Sequence, residues 1–344
     1  MNASTSAISS LLEAPRIVIE ADLEPIVGTR LQPTGFPNLG AAEFTGPAGE
    51  SYLLVESAQS IANRLEATAW DDAANDLVEP LRGLPYVKTM VGSVETDSIR
   101  EAHRLNSPYL EGIRPRLAQL AGINVLTRGK KAKATATAEG DGEEAATASA
   151  SVDRRALAKA VFFYDPSTVL HGVFLEKITG LARLTRAVSG FIEAHRVELV
   201  ASGGVKNDRI DPSGKAYSSN NKTGAEAGFG NVPYARTEYT AESIRASFVI
   251  DTALIRSYGL GCAAERLLAA LALWKITTFL ATGMRLRTAC DLVVGDGGLR
   301  IVRPAGATLP PLRELEAEIA EQKAACANEG LFASPAVTEV TFSA

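Results

Sequence analysis

The apolar positions of the chain fall into two spacings that predict different elements. Arg16 to Leu23 is rich in β-branched residues and predicts a strand. Ser243 to Ile250 alternates apolar and polar positions and predicts another. The short apolar runs Ala160–Tyr164 and Val169–Leu175 predict strands, as does Arg287–Val294, and Arg186–Leu199 has β character around Val188–Ile192. Helical spacing begins at Ser57, an N-cap for a helix to about Asp72 with Ile61, Leu65 and Ala69 on one face. Thr96-Asp97-Ser98 predicts the cap of a short second helix carrying His103 and Arg104. Cys262–Leu280 is the strongest helical segment, broadly apolar and closed by Gly283. Leu312–Ala325 predicts a charged surface helix.

Between these elements lie three polar stretches. Gly28–Gly49 contains five glycines and three prolines and predicts a loop. Residues 129–153 are Ala/Thr/Gly/Glu-rich, begin basic and end acidic, and predict a disordered linker. Residues 203–236 are rich in Gly, Asn and Ser, and an insertion of that length inside a domain is functional or disordered. No internal repeat is visible. Strand, helix, strands, helix, strand with long insertions suits an α/β (α+β) fold of the ferredoxin-like type, an order that several α+β folds share. The domain reading is one unit over 14–312, containing the linker and the insertion, followed by a C-terminal helix and tail over 313–344.

At 344 residues and 46% hydrophobic content the chain can bury a large core. The net charge of −5 argues against a uniformly basic nucleic-acid binder. The acidity is segregated, however. Glu139, Asp141, Glu143 and Glu144 sit in the linker, and Arg313–Lys323 holds four glutamates against two bases. Arg245–Arg303 has eight bases and four acids, which leaves room for a basic groove. The three cysteines form no CxxC pair, so neither a disulfide framework nor a zinc knuckle is expected; Cys262 and Cys290 fall in apolar stretches and predict burial. No signal-peptide pattern opens the sequence, and the longest apolar run, Leu267–Trp274, is too short to span a bilayer. A reducing cytoplasm fits.

Catalytic patterns are sparse. His103, His171 and His195 lack metal-ligand spacing, there is no GxSxG elbow and no Walker motif, and Gly259-Leu260-Gly261 lacks the third glycine of a dinucleotide fingerprint. Neither metal nor cofactor is expected. Nucleic-acid binding needs cations for phosphate and planar groups for bases. Arg30, Gln32 and Phe36 offer both in the first loop. Gln59, Ser60, Asn63 and Arg64 form a polar helix face. Lys206, Asn207, Arg209, Lys215, Lys222 and Arg236 decorate the long insertion beside Tyr217, Phe229 and Tyr234. Arg285 and Arg287 alternate on one face of a strand, and His103 and His171 are further candidates.

Several blocks in order carry a family likeness: Arg30-Leu31-Gln32-Pro33-Thr34-Gly35-Phe36-Pro37 after the first strand, Ser57–Glu66, Phe163–Phe174, Ser202–Asp208, Gly228–Pro233 and Leu286–Leu292. In these the chain resembles the Cas-seven superfamily of CRISPR effector backbone subunits, in the Csb-one branch of type I-G (formerly I-U) systems. The resemblance implies an RRM-type palm with long thumb-like insertions. It also implies a non-catalytic, crRNA-binding Cascade subunit that assembles in several copies along the guide and reaches target DNA through it. Partners would be crRNA, further copies of itself, the large subunit and the subunits at the guide ends, with no membrane. The rival expectation is a metal-dependent ribonuclease acting on guide precursor or target RNA through Asp22, Asp208 or Asp211.

Overall fold

The computed structural model describes residues 7–36, 38–123, 152–175, 182–206 and 232–342. The predicted linker therefore lies outside the described residues up to position 151, and so do 207–231 of the predicted insertion. The chain begins with α1 (Ala7–Glu13) and β1 (Ile17–Pro25). Short strands β2 (Gly35–Phe36), β3 (Gly40–Ala41) and β4 (Glu43–Thr45) subdivide the predicted first loop, ahead of β5 (Ser51–Glu56) and α2 (Ala58–Ala67). Next come β6 (Trp70–Asp71), β7 (Asp76–Leu77), β8 (Tyr86–Val91), β9 (Val94–Asp97), α3 (Arg114–Leu120), α4 (Arg154–Tyr164) and α5 (Pro166–His171). β10 (Val173–Leu175) and β11 (Ala182–Leu184) precede the two long strands, β12 (Val188–Lys206) and β13 (Val232–Ile250). α6 (Thr252–Ser257), α7 (Cys262–Ala281), β14 (Met284–Arg287), β15 (Cys290–Arg303), α8 (Leu312–Asn328) and β16 (Val337–Glu339) complete the chain.

A seven-stranded antiparallel sheet in the order β14-β15-β1-β13-β12-β5-β4 organises the fold. Four adjacent inner strands, β15-β1-β13-β12, have the 4-1-3-2 order of a β-α-β-β-α-β unit, with α2 between the first two of them in sequence and α7 between the last two. β1 shows why one face is buried: Ile17, Ile19, Ala21 and Leu23 point into the core, while Glu20 and Asp22 occupy the opposite face. The buried face is covered by α2, α5 and α7, with α8 packed outside α7. That second layer explains why α7 is apolar on every side, from Leu267 and Leu268 to Leu273 and Trp274. Each such side chain contributes roughly 1.5–3 kcal/mol of burial. α8 gives Leu315, Ile319 and Cys326 to the contact, and Arg266 of α7 holds Glu318 through two hydrogen bonds of 2.7 and 2.9 Å.

Several expectations are corrected. Ala160–Tyr164 is the end of α4, and Val169–His171 belongs to α5; only Val173–Leu175 is strand. Side-chain caps decide both: Asp153 accepts from Arg155 N at 2.8 Å, and Asp165 accepts from Thr168 N at 3.0 Å with Pro166 in the first turn. Thr96-Asp97-Ser98 does not start an α-helix. Asp97 ends β9 and its carboxylate takes the N–H groups of Ile99 and Arg100 in a turn, leaving only a 3-10 turn at Arg104–Asn106. Arg287 ends β14 and β15 begins at Cys290, with Ala289 between them in the left-handed region (φ 59°). α2 stops at Ala67, and Cys262 is exposed on the first turn of α7 while Cys290 and Cys326 are buried.

Candidate nucleic-acid interface

The loop after β1 is held at three points. Leu31 forms a two-way bridge with Tyr239 of β13, N–H to carbonyl at 2.8 and 2.9 Å. Gln32 N donates to Ala289 O at 2.8 Å, and Thr34 N donates to Val55 O at 3.2 Å. Leu31 is buried because it plugs the core here, so the polar residues around it turn outward. Tyr239 donates its hydroxyl to Glu43, and burial first, then this contact, pushes its pKa up to about 12. Gly35 lies where a Cβ would meet Gly40 O at 2.7 Å, so the chain needs glycine to fold back on itself.

Between this loop and the outer part of β13 opens a cavity of about 740 Å³. Gln32, Gly35, Tyr234, Arg236 and Arg287 are among its walls. Tyr234 is 49% exposed, and the Arg236 guanidinium sits 5.4 Å from its ring centre. Beyond Val197, β12 and β13 pair with each other as far as Lys206 and Val232, which carries Tyr234 and Arg236 out along a two-stranded ribbon. The predicted polar loop is thus continuous β-ribbon at both ends.

Two buried glutamates hold the cations in place. Glu238 is 3.0 Å from Arg30 and 3.9 Å from Arg236, and Arg30 also reaches Ser202 Oγ at 3.3 Å. Glu56 takes Arg64 at 3.3 Å and a second, shorter bond from Arg287. Arg287 also donates to Gln32 O at 3.1 Å, and Arg64 to Leu286 O at 2.7 Å. Burial presses both guanidiniums below their ordinary pKa, yet they stay charged. The arrangement offers fixed cations, an exposed aromatic and backbone polar groups along one wall.

Arg30, Gln32, Arg236 and Arg287 are therefore gathered at one place, and Arg64 joins them through Glu56. Arg64 is not a free surface cation as the helical spacing predicts; it is half-buried and ties α2 to β14. Gln59 and Asn63 are exposed on the outer face of α2 and bond each other at 3.4 Å, and Ser60 N caps onto Ser57 Oγ. Gln59 also accepts from Arg186 at 3.0 Å. Arg285 is exposed on β14. His103 is exposed beside Arg104, which is locked by two bonds to buried Glu66. Asn207, Arg209, Lys215, Tyr217, Lys222 and Phe229 lie outside the described residues, as do the side chains of Phe36 and Lys206. Glu56, Glu238 and Arg186 were not read from the sequence. The only trace of the first is a glutamate closing an apolar strand immediately before a helix cap.

His171 is not available to a ligand. It is buried with Lys275, whose ammonium lies 2.8 Å from Ser167 Oγ and 3.2 Å from His171 Nε2. Asp22 sits on the open sheet face between Arg245 at 2.8 Å and Arg300 at 2.7 Å, and the Arg300 bond leads in holding its carboxyl below the usual range. Asp208 and Asp211 lie outside the described residues. Among the described residues no three His, Cys, Asp or Glu converge as metal ligands, and no helix is long and apolar enough to cross a membrane.

The profile of a family described as "CRISPR-associated protein GSU0053" matches residues 17–199. No curated protein matches the sequence. One solved structure, titled "CRISPR RNA-guided surveillance complex, pre-nicking", aligns over 80% of this chain and 73% of its own at 15% identity and a TM-score of 0.39. A likeness at that score bears on neither fold nor function.

Proposed function

The chain belongs to the CRISPR-associated GSU0053 family, and on that premise we propose that it is a crRNA-binding backbone subunit of a type I Cascade complex, of the I-G branch. The observation that carries the reading is the cavity at the root of the β12–β13 ribbon, where Arg236 and Arg287 line the wall beside exposed Tyr234 and Arg30 is joined to Arg236 through Glu238. Phosphates sit on the arginines and a base rests on the aromatic ring. Nothing in this arrangement reads one base against another, so guide sequence matters little. The 4-1-3-2 order of the inner strands supports an RRM-like palm, and the ribbon supports a thumb-like extension from it. Several copies lie along one guide in the cytoplasm, beside the large subunit and the subunits at the guide ends, and target DNA is read by pairing with the guide.

The protein itself breaks no bond in this reading. The test is binding of single-stranded RNAs of increasing length by gel shift, with and without Mg²⁺. Cooperative, sequence-tolerant binding with intact RNA is expected. Protein-dependent scission abolished by a point mutation, or strictly one-to-one binding on long RNA, overturns the proposal.

A further inference from the structure

Gly203 and Gly204 sit side by side on β12, opposite Ala235 and Tyr234 of β13. Glycine weakens a strand interior, so two in succession need a reason. For Gly203 the reason is the backbone: a Cβ there would lie 2.5 Å from Tyr234 O. For Gly204 the reason is the ring. A Cβ at that position would meet Tyr234 Oη at 3.0 Å, Cζ at 3.2 Å and Cε1 at 3.4 Å, so the phenol lies across the bare backbone of its cross-strand partner. An aromatic laid over a glycine of the facing strand is a recurrent antiparallel pairing, and it gives the ring a flat support. Alternation along the strands puts Ser202, Gly204, Tyr234 and Arg236 on one face of the ribbon. There Tyr234 rests on Gly204, has the Arg236 guanidinium 5.4 Å from its centre and stays 49% exposed at the wall of the cavity.

We infer that Gly204 is a positioning residue for base stacking, resting on the RNA-binding reading above: it sets the Tyr234 ring at the cavity wall so that a base of any identity stacks on its open part while a phosphate lies on Arg236. The ring atoms stand closer to the Cβ position than ordinary contact, so any side chain at 204 moves the ring. The ring is half exposed and can swing into solvent, so the displacement costs the fold little and costs the stack its geometry. A strand glycine without this role behaves in the opposite way. Alanine in its place removes freedom from the unfolded chain, stabilises the fold and leaves RNA affinity unmoved.

The test is a mutant cycle on the full-length protein, freed of RNA and titrated with a labelled single-stranded oligouridylate by anisotropy at several salt concentrations. Gly204→Val lowers affinity by roughly five- to a hundred-fold, the range spanned by loss of one base–aromatic stack. The log–log salt slope stays as it is, because Arg236 keeps its phosphate. Gly204→Ala lowers affinity less, in the same direction, and decides the matter alone if the valine variant does not fold. In a Tyr234→Ala background neither substitution weakens binding further, since no ring is left to move. Unchanged affinity in Gly204→Ala with a stabilised fold overturns the inference. So does an equal loss in the Tyr234→Ala background, a Tyr234→Ala protein that binds as tightly as the unsubstituted chain, or a slope lowered by about 0.7, which assigns the effect to a phosphate contact. Each of these leaves RNA binding itself standing, whereas no binding by the unsubstituted protein overturns both.

Discussion

Replacing Glu56 separates stability from RNA binding more cleanly than any other change at the site. Its side chain is 2% exposed and accepts from two guanidiniums that are themselves 28% and 22% exposed. Glu56→Gln keeps the shape and one acceptor oxygen but removes the charge. Breaking a fully buried pair by removing one partner costs about 3–5 kcal/mol. Here the arginines are partly solvated and each keeps a carbonyl, Leu286 O for Arg64 and Gln32 O for Arg287. A loss of about 2 kcal/mol is therefore expected, near the worth of one charged hydrogen bond of roughly 1.5–3 kcal/mol. RNA affinity should hold or rise, because Arg287 loses a competing anion. Urea unfolding gives the first quantity and anisotropy at fixed salt the second. A destabilisation under about 0.5 kcal/mol, as for an ordinary surface change, would refute the claim that Glu56 anchors the site. A fall in RNA affinity with the fold intact would refute the role given to Arg287.

Three further outcomes follow from the same geometry. Arg30→Gln should lower the RNA salt slope by about 0.7 with less than about 1 kcal/mol lost in stability, since its 55%-exposed side chain leaves Arg236 beside Glu238; an unchanged slope removes Arg30 from the interface. Burial holds the Lys275 ammonium down at about 8 from 10.5, so between those values the unfolded chain binds the proton that the folded one has released, and stability rises with pH across that window. Lys275→Met should erase that rise, and a rise that persists in the variant would contradict it. Asp97→Ala should cost about 2–4 kcal/mol by removing a buried acceptor of two backbone N–H groups and the partner of Arg100, with RNA affinity of the folded protein unchanged; thermal unfolding and anisotropy check the two halves.

Much of the frame is legible in the chain itself. The strand at Arg16–Leu23 and the helix at Cys262–Leu280 are strong periodic or continuous apolar patterns, and local sequence suffices to place them. Ser57 is the N-cap that its residue type announces. Arg30, Gln32 and Arg236 are recognisable as candidates because a cation beside an aromatic or amide in a glycine-rich setting has little use in a core, and Arg287 because it alternates with Arg285 along a strand. Short apolar runs are another matter. Ala160–Tyr164 and Val169–His171 look like strands until Asp153 and Asp165 cap them as helices, because five to seven apolar residues fit either period.

What only the tertiary structure decided is which of those residues meet. Gln32, Arg236 and Arg287 are more than two hundred positions apart at the extremes, and the strand register that brings Leu31 to Tyr239 and Ala289 to Gln32 depends on pairings no local window contains. The same register makes Glu56 and Glu238 buried anchors, whereas in sequence they are two among many carboxylates. It also turns Arg64 from a surface cation into a half-buried tie between α2 and β14. Composition and spacing select residues able to bind a polyanion; the sheet order fixes their positions, because charge placement is a property of packing and not of the chain.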